Sequence, residues 1–399
     1  MLSKKAASIK SSPTLALVAK AKELQAQGHN VISLTVGEPD WPTYKVAADA
    51  GINAIQTGFT KYTAANGTIE LRKAIAARTE ADLGFAYNPL KEIAVTSGAK
   101  YAIYTALQCL CDPGDEVIIH SPYWVSYPAM AELADAVPKI VDCKLEHNFK
   151  LSAERLEQAI TPKTKVFLFC SPSNPTGFVY SKEELKAIAD ILKKHPRVVV
   201  ISDDMYNRLM LNGTHIAPHL LQVAPDLRDR TILINGGSKA YSMTGWRIGW
   251  AMGPEKVIKA IGDFASQSTG APSSIAQAAA EKALLYSEQD IKNTVELLKT
   301  RLDSALKRMS DIKDLVVYKP DGAFYLWINV EKFVGRKYKG EVVQSSAQFG
   351  KIYLEEFFVA TVPGEEFGEP GFLRLSFATQ SEKFNEAMDR MQKFISQMT

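Results

Sequence analysis

Short apolar runs rich in β-branched residues recur through the middle of the chain, each followed by a longer stretch with helical spacing. They are Ile93–Thr96, Val117–Ile119, Val166–Phe169, Val198–Ile201 and Thr231–Ile234. This alternation, from about residue 46 to 285, predicts an α/β fold with a mostly parallel sheet. Beyond Pro272 the spacing becomes helical, over 275–286 and 291–309, and strand character returns at 323–328. A chain of 399 residues has room for one large core and a smaller second unit.

The chemistry collects where the strands end. Asn235-Gly236-Gly237 breaks the last strand. Lys239 follows, with Ser238 before it, Ser242 and Thr244 after it, and Arg247 between Trp246 and Ile248. A single lysine on a loop is usually solvated. Here Met243, Trp246, Ile248 and Trp250 bring large apolar side chains and predict a buried loop. Burial depresses a lysine pKa and frees the lone pair. Such an amine can form an imine with a carbonyl, while hydroxyls and a guanidinium can hold a phosphate. Pyridoxal phosphate presents both groups.

Other strand ends read two ways each. Ser97-Gly98-Ala99-Lys100 is either an ordinary turn into a helix or one that aims free backbone N–H groups at an anion. It is neither a Walker A loop nor GxGxxG. Trp124 offers a flat face to a pyridine ring, or packs in the core. Ser171-Pro172-Ser173-Asn174-Pro175-Thr176-Gly177 is a rigid turn that pre-positions the Asn174 amide. Asp203 and Asp204 compete as a strand-end carboxylate, which is costly to bury without a cationic partner. A pyridinium nitrogen is such a partner. Arg374, in Phe372–Phe377, could simply face solvent. Gly37-Glu38-Pro39-Asp40 reads as a turn, and Tyr62 lies in a loop before a helix over 69–80.

The remaining composition narrows the field. A net charge of +3 is too small to argue for nucleic acid, and basic runs stop at two residues. Cys109, Cys111, Cys143 and Cys170 form no CxxC pair and read as reduced thiols of a cytoplasmic protein. The opening MLSKKAASIKSSP has no apolar core of a secretory signal, and no apolar run is long enough for a bilayer. His215 and His219 are separated by Pro218, so a helical metal-ligand pair is not expected, and both read as water-exposed loop residues.

SKAYSMTGWRIGW, residues 238–250, resembles the lysine motif of class I aminotransferases. These are fold-type I, pyridoxal-phosphate-dependent enzymes, and the likeness is closest to the bacterial-type aspartate aminotransferase group. It runs from Lys10 to Ala378 with the motifs in family order. The resemblance implies a seven-stranded, mostly parallel sheet in a large domain over 46–285, a smaller α+β domain from 1–45 and 286–399, and a homodimer with shared active sites. It implies pyridoxal 5'-phosphate joined to Lys239 as a Schiff base, with freed Lys239 as general base. The backbone amides of Ala99 and Lys100 are placed on the phosphate, and Tyr62 reaches it from the neighbouring subunit. Trp124 stacks on the ring. Asn174 bonds the ring oxygen and the substrate carboxylate. The family's Asp-x-x-Tyr spacing selects Asp203 for the ring nitrogen and Tyr206 for the ring oxygen. Gly37 and Arg374 take the substrate α-carboxylate. The usual residue at position 173 is Asn, and serine here puts no role in doubt.

The implied reaction moves the amino group of L-aspartate to 2-oxoglutarate in a ping-pong cycle. Some members hold the side-chain carboxylate with an arginine from a loop that here reads Ser266 to Pro272 and carries none. Lys100 is the expected substitute. Lys10 and Thr14 match positions linked to prephenate. Transamination of aromatic or other amino acids, and C–S β-lyase chemistry, are the alternatives on the same scaffold. A DNA-binding regulator is disfavoured by the missing basic stripe and helix-turn-helix extension.

Overall fold

The computed structural model describes residues 1–9, 13–35 and 37–399. Its main sheet has seven strands: β1 (Ile93–Thr96), β2 (Glu116–His120), β3 (Val137–Val141), β4 (Thr164–Cys170), β5 (Val199–Asp203), β6 (Thr231–Gly236) and β7 (Gly249–Met252). The spatial order is β1-β7-β6-β5-β4-β2-β3. Neighbours from β6 through β3 run parallel, and β7 runs antiparallel to both β6 and β1. The central strands are buried on both faces, which is why they read as unbroken apolar runs instead of alternating ones. β3 is the exception. It is an edge strand carrying Pro138 and Lys139, half open to solvent, as edges tend to be.

A second, antiparallel sheet comprises β8 (Val316–Tyr318), β9 (Tyr325–Asn329), β10 (Val362–Pro363) and β11 (Phe372–Ser376), in the order β10-β11-β9-β8. Strand character here begins two residues later than 323, because Ala323 sits in the left-handed region at φ 60° and turns the chain into β9. Near the N-terminus Ile32–Ser33 pairs in parallel with Val359–Ala360. That pairing brings Gly37 across the molecule to Lys239. The helix after Tyr62 spans Ile69–Leu83 and outlasts its expected end. Thr68 caps its start, and Gly84 ends it in the left-handed conformation at φ 82°, where a glycine carries no penalty. Among the described residues no helix is long and apolar enough to cross a membrane.

The parallel strands point their C-terminal ends one way. β4 and β5 are in register with Cys170 opposite Asp203, and β5 and β6 with Asp203 opposite Ile234. In open α/β sheets that edge is where ligands bind, and it faces the second sheet across a cavity.

Candidate active site

The cavity holds about 340 Å³ and is lined by Gly37, Ala99, Lys100, Trp124, Asn174, Asp203, Tyr206, Ser238, Lys239, Arg247 and Arg374, among others. Strand ends, a helix start and the crossing N-terminal segment thus bring most of the expected residues to one place. Lys239 stands on the turn that follows β6. Its Nζ donates to the Gly37 carbonyl. Burial, then the nearby Arg374 guanidinium, pulls the amine down to about 8, with Glu38 opposing.

Asp203 ends β5 and is 5 % exposed. The Tyr127 hydroxyl donates to its Oδ2 at 2.7 Å, and the Met205 N–H approaches Oδ1 at 3.3 Å. Burial pushes the carboxyl up to about 6, although the Tyr127 bond works against that. Among the described residues the group forms no ion pair, and Lys239 acts on it only as a nearby charge, its weakest influence. Asp204, its rival in the sequence, is committed elsewhere: Ser202 Oγ donates to it at 2.6 Å and His219 Nε2 lies at 3.4 Å. His219 is therefore buried, 4 % exposed. Its Nδ1 accepts the Leu221 N–H at 3.1 Å, capping a short helix. The water-exposed loop position expected for it is corrected, while His215 is open to solvent.

Arg374 lies in β11 and is 3 % exposed, so it does not face solvent. One Nη donates to Asn174 Oδ1 at 2.8 Å and the other to the Thr35 carbonyl at 2.6 Å. Its Nε is buried and has no partner among the described residues. The guanidinium stacks over the Tyr325 ring at 4.4 Å and near Phe367 at 5.0 Å. Tyr206 is buried, and its hydroxyl meets that of Tyr325 at 2.8 Å. Burial holds its pKa well above the usual phenol range.

The turn from β1 into helix Ala99–Leu110 is shaped by glycines. Gly98 has φ 93°, and a Cβ there would come 2.7 Å from an Arg247 Nη. A Cβ on Gly249 would come 2.6 Å from the Gly98 carbonyl carbon. The strand β7, the Gly98 turn and Arg247 are thus packed at backbone distance, which only glycine permits. Ser238 lines the same corner. Lys100 Nζ lies 4.9 Å over the Trp124 ring. Burial, then Arg247, lowers its pKa.

Some expectations shift. Ser242 does not serve the cavity; its hydroxyl donates to the Trp41 carbonyl at 2.9 Å. Thr244 lines the cavity but gives its hydrogen to Glu38. Of the hydroxyls around Lys239, Ser238 alone remains for an anion among the described residues. Tyr62 is fully exposed and lies outside the cavity lining. Lys10 falls outside the described residues. Thr14 is in the helix Pro13–Ala26, with its side chain likewise outside them. Sequence reasoning missed Glu38, Tyr127, Cys170 and Tyr325, all lining the cavity, and Thr35. Tyr127 carried a faint signal, three residues after Trp124 at the start of a helix, where the two rings meet edge to face at 5.4 Å.

A buried carboxyl that wants a cation, a guanidinium nitrogen left over, an amine with a depressed pKa and an anion-sized turn together call for one kind of ligand. It has a carbonyl, a basic ring nitrogen and a phosphate, and pyridoxal 5'-phosphate fits that description. Fold and site thereby define a vitamin B6-dependent transferase of the α/β kind. The chain belongs to aminotransferase class I and II, whose family pattern matches residues 29–391, and the cofactor of that family is pyridoxal 5'-phosphate. Among its relatives are a probable aspartate/prephenate aminotransferase of Rickettsia bellii, 47 % identical over 96 % of both chains, and the aspartate/prephenate aminotransferase of Nitrosomonas europaea, 42 % identical over 99 % of this chain and 100 % of the other. Similar solved structures include the aspartate aminotransferase of Rhizobium meliloti, with TM-score 0.96, 38 % identity and full coverage of both chains. The Thermus thermophilus enzyme with maleate has TM-score 0.91, with 37 % identity over 99 % of each chain.

Proposed function

We propose that the protein transfers the amino group of L-aspartate to 2-oxoglutarate and also accepts prephenate, with Lys239 as the residue that carries pyridoxal phosphate and then moves the proton. The observation that carries this reading is the shared cavity of Lys239, Asp203, Asn174 and Arg374. Aspartate and prephenate are supported by the relatives' names, and a dicarboxylate site by the maleate of the Thermus structure.

When bound, pyridoxal phosphate supplies an aldehyde that condenses with amines and a ring that draws electrons away from the amino acid Cα. The protein does the rest. Ser238, Arg247 and the Ala99 and Lys100 amides would hold the phosphate, Trp124 would cover the ring, and Asp203 would keep the ring nitrogen protonated. Arg374 takes the α-carboxylate with Nε and an Nη, a two-point grip that an ammonium does not reproduce. Asn174 and Gly37 flank it. Lys239, with its amine held near 8, is neutral often enough at physiological pH to take the Cα proton. Lys100 meets the distal carboxylate, and Lys10 and Thr14 are assigned to prephenate on the resemblance alone.

The second subunit completes the site through Tyr62, which is fully exposed, and the exposed apolar side chains Ile52, Ile55 and Phe59 of the same stretch of chain suit a second copy. The two sheets support the division into 46–285 and the two chain ends. Four unpaired thiols support a cytoplasmic home. The test is steady-state turnover with aspartate, glutamate, prephenate, tyrosine and alanine, beside Lys239→Ala. Aspartate with 2-oxoglutarate should lead, and Lys239→Ala should lose the cofactor's characteristic absorbance and nearly all turnover. A colourless wild type, or an active Lys239→Ala, overturns the reading.

A further inference from the structure

Tyr325 belongs to no motif, yet it touches both Tyr206 and Arg374. It begins β9 and is 1 % exposed. Its hydroxyl lies 2.8 Å from that of Tyr206, and among the described residues it makes no other hydrogen bond. The same hydroxyl is the atom nearest to where a Cβ on Gly37 would stand, and Lys239 Nζ lies 3.4 Å from that point. Its ring carries the Arg374 guanidinium at 4.4 Å.

We propose that Tyr325 is a positioning residue with two separable jobs: its hydroxyl aims the Tyr206 proton into the cavity, and its ring seats Arg374. The inference rests on the reading of the site given above. A phenol has one proton and two lone pairs. Left alone, the proton of the Tyr206–Tyr325 pair can sit on either side. Once Tyr206 serves an oxyanion in the cavity, its proton must point there, and its own oxygen is left to accept. Tyr325 is the donor at hand. The chain then runs from Tyr325 to Tyr206 to the oxyanion, and each link polarises the next, making Tyr206 a stronger donor than a lone phenol. No bond to carbon forms or breaks in this step; only hydroxyl orientation changes. Because the site is buried, a weaker donor would be felt in full.

The two jobs part under mutation. Tyr325→Phe removes the hydroxyl and keeps the ring under Arg374. Tyr325→Leu removes both. In Tyr325→Phe the oxyanion of the bound cofactor loses support, so the pH midpoint of the holoenzyme's visible absorbance change should move upward, by about half a unit to one unit. Its kcat should fall roughly tenfold with KM for aspartate within about twofold, since the cation–π seat remains. Tyr325→Leu should show the same midpoint shift and, in addition, a KM about tenfold higher.

A double-mutant cycle gives the decisive control. On a Tyr206→Phe background, Tyr325→Phe should leave the midpoint unmoved, because there is no proton left to aim. An unshifted midpoint in Tyr325→Phe, or a full shift on the Tyr206→Phe background, overturns the hydroxyl role. A KM equal in the Phe and Leu variants overturns the ring role. If wild-type enzyme shows no cofactor absorbance, the underlying site reading has failed and this inference falls with it; a coloured, active wild type with an unperturbed Tyr325→Phe isolates the failure here.

Discussion

Arg374 reaches from β11 of the second sheet to donate to Asn174 Oδ1 at 2.8 Å on the loop after β4 of the main sheet. The two residues expected to share a carboxylate already share a hydrogen bond. Neither is free to swing, so the geometry of the grip is set before a substrate arrives.

Replacing that guanidinium should therefore cost binding more than chemistry. Arg374→Lys keeps a positive charge but gives up the two-point contact, and kcat/KM for aspartate is expected to drop about 100-fold or more, a loss of roughly 3 kcal/mol. Stopped-flow measurement of the half-reaction with aspartate separates the affinity from the rate. A variant within about twofold of wild type contradicts the assignment of Arg374.

Asp203 makes the cofactor-free protein sensitive to pH. Its carboxyl titrates near 6 when folded against an ordinary value of 3.8. Between about pH 4 and pH 6 the folded chain keeps a proton that the unfolded chain has released, so stability declines as pH rises through that window. The loss is about 2 kcal/mol or more. Thermal melts of the apoprotein should show it, and Asp203→Asn should flatten the curve. Adding pyridoxal phosphate supplies a cationic partner, so the stabilisation by cofactor should grow as pH climbs toward 6 and level off above it. Melts of the wild-type apoprotein that do not change across this window would count against the buried, unpaired acid.

Gly249 is where backbone meets backbone. Gly249→Ala would drive a methyl into the Gly98–Ala99 turn, and the overpacking should cost about 1–3 kcal/mol and loosen cofactor binding about tenfold or more, read by equilibrium dialysis. Gly262, in the helix Glu255–Ser268, has its nearest neighbour at 3.5 Å. Gly262→Ala should instead be neutral or stabilising by about 0.5–1 kcal/mol.

Lys100 bears on which amino acid is used. Lys100→Met retains the backbone amide while removing the charge. The expected result is a KM for aspartate and 2-oxoglutarate raised roughly 10-fold or more, with alanine or tyrosine little affected. Equal losses across all substrates would move Lys100 from recognition of the side chain to support of the cofactor.

How far the sequence discloses all this depends on what kind of fact is sought. The parallel sheet was legible because doubly buried strands must be continuous apolar runs, and β4, β5 and β6 are. β3 was not, since an edge strand with Pro138 and half-exposed positions carries no such pattern. Lys239 was legible as an amine among large apolar neighbours, and Asn174 as an amide fixed by a rigid turn; the choice of Asp203 over Asp204 and the role of Arg374 came with the resemblance, because a strand-end carboxylate and a strand arginine each read two ways alone. Tyr127 and Tyr325 escaped notice because a tyrosine in a core is unremarkable until its hydroxyl is seen to have a partner. Ser242 was misread for the opposite reason: proximity in sequence to Lys239 says nothing about which way the chain turns, and its φ of 52° sends the hydroxyl to Trp41. His219 was judged by the proline beside it, when the helix it caps lay on its other side.

The Arg374 Nη that bonds the Thr35 carbonyl joins positions 339 residues apart. A partly formed molecule, with the main sheet in place and either extremity adrift, therefore lacks the seat of Arg374 and its grip on a substrate carboxylate. In a refolding experiment turnover of aspartate should then lag behind the yellow colour, as a report that both ends of the polypeptide have come home.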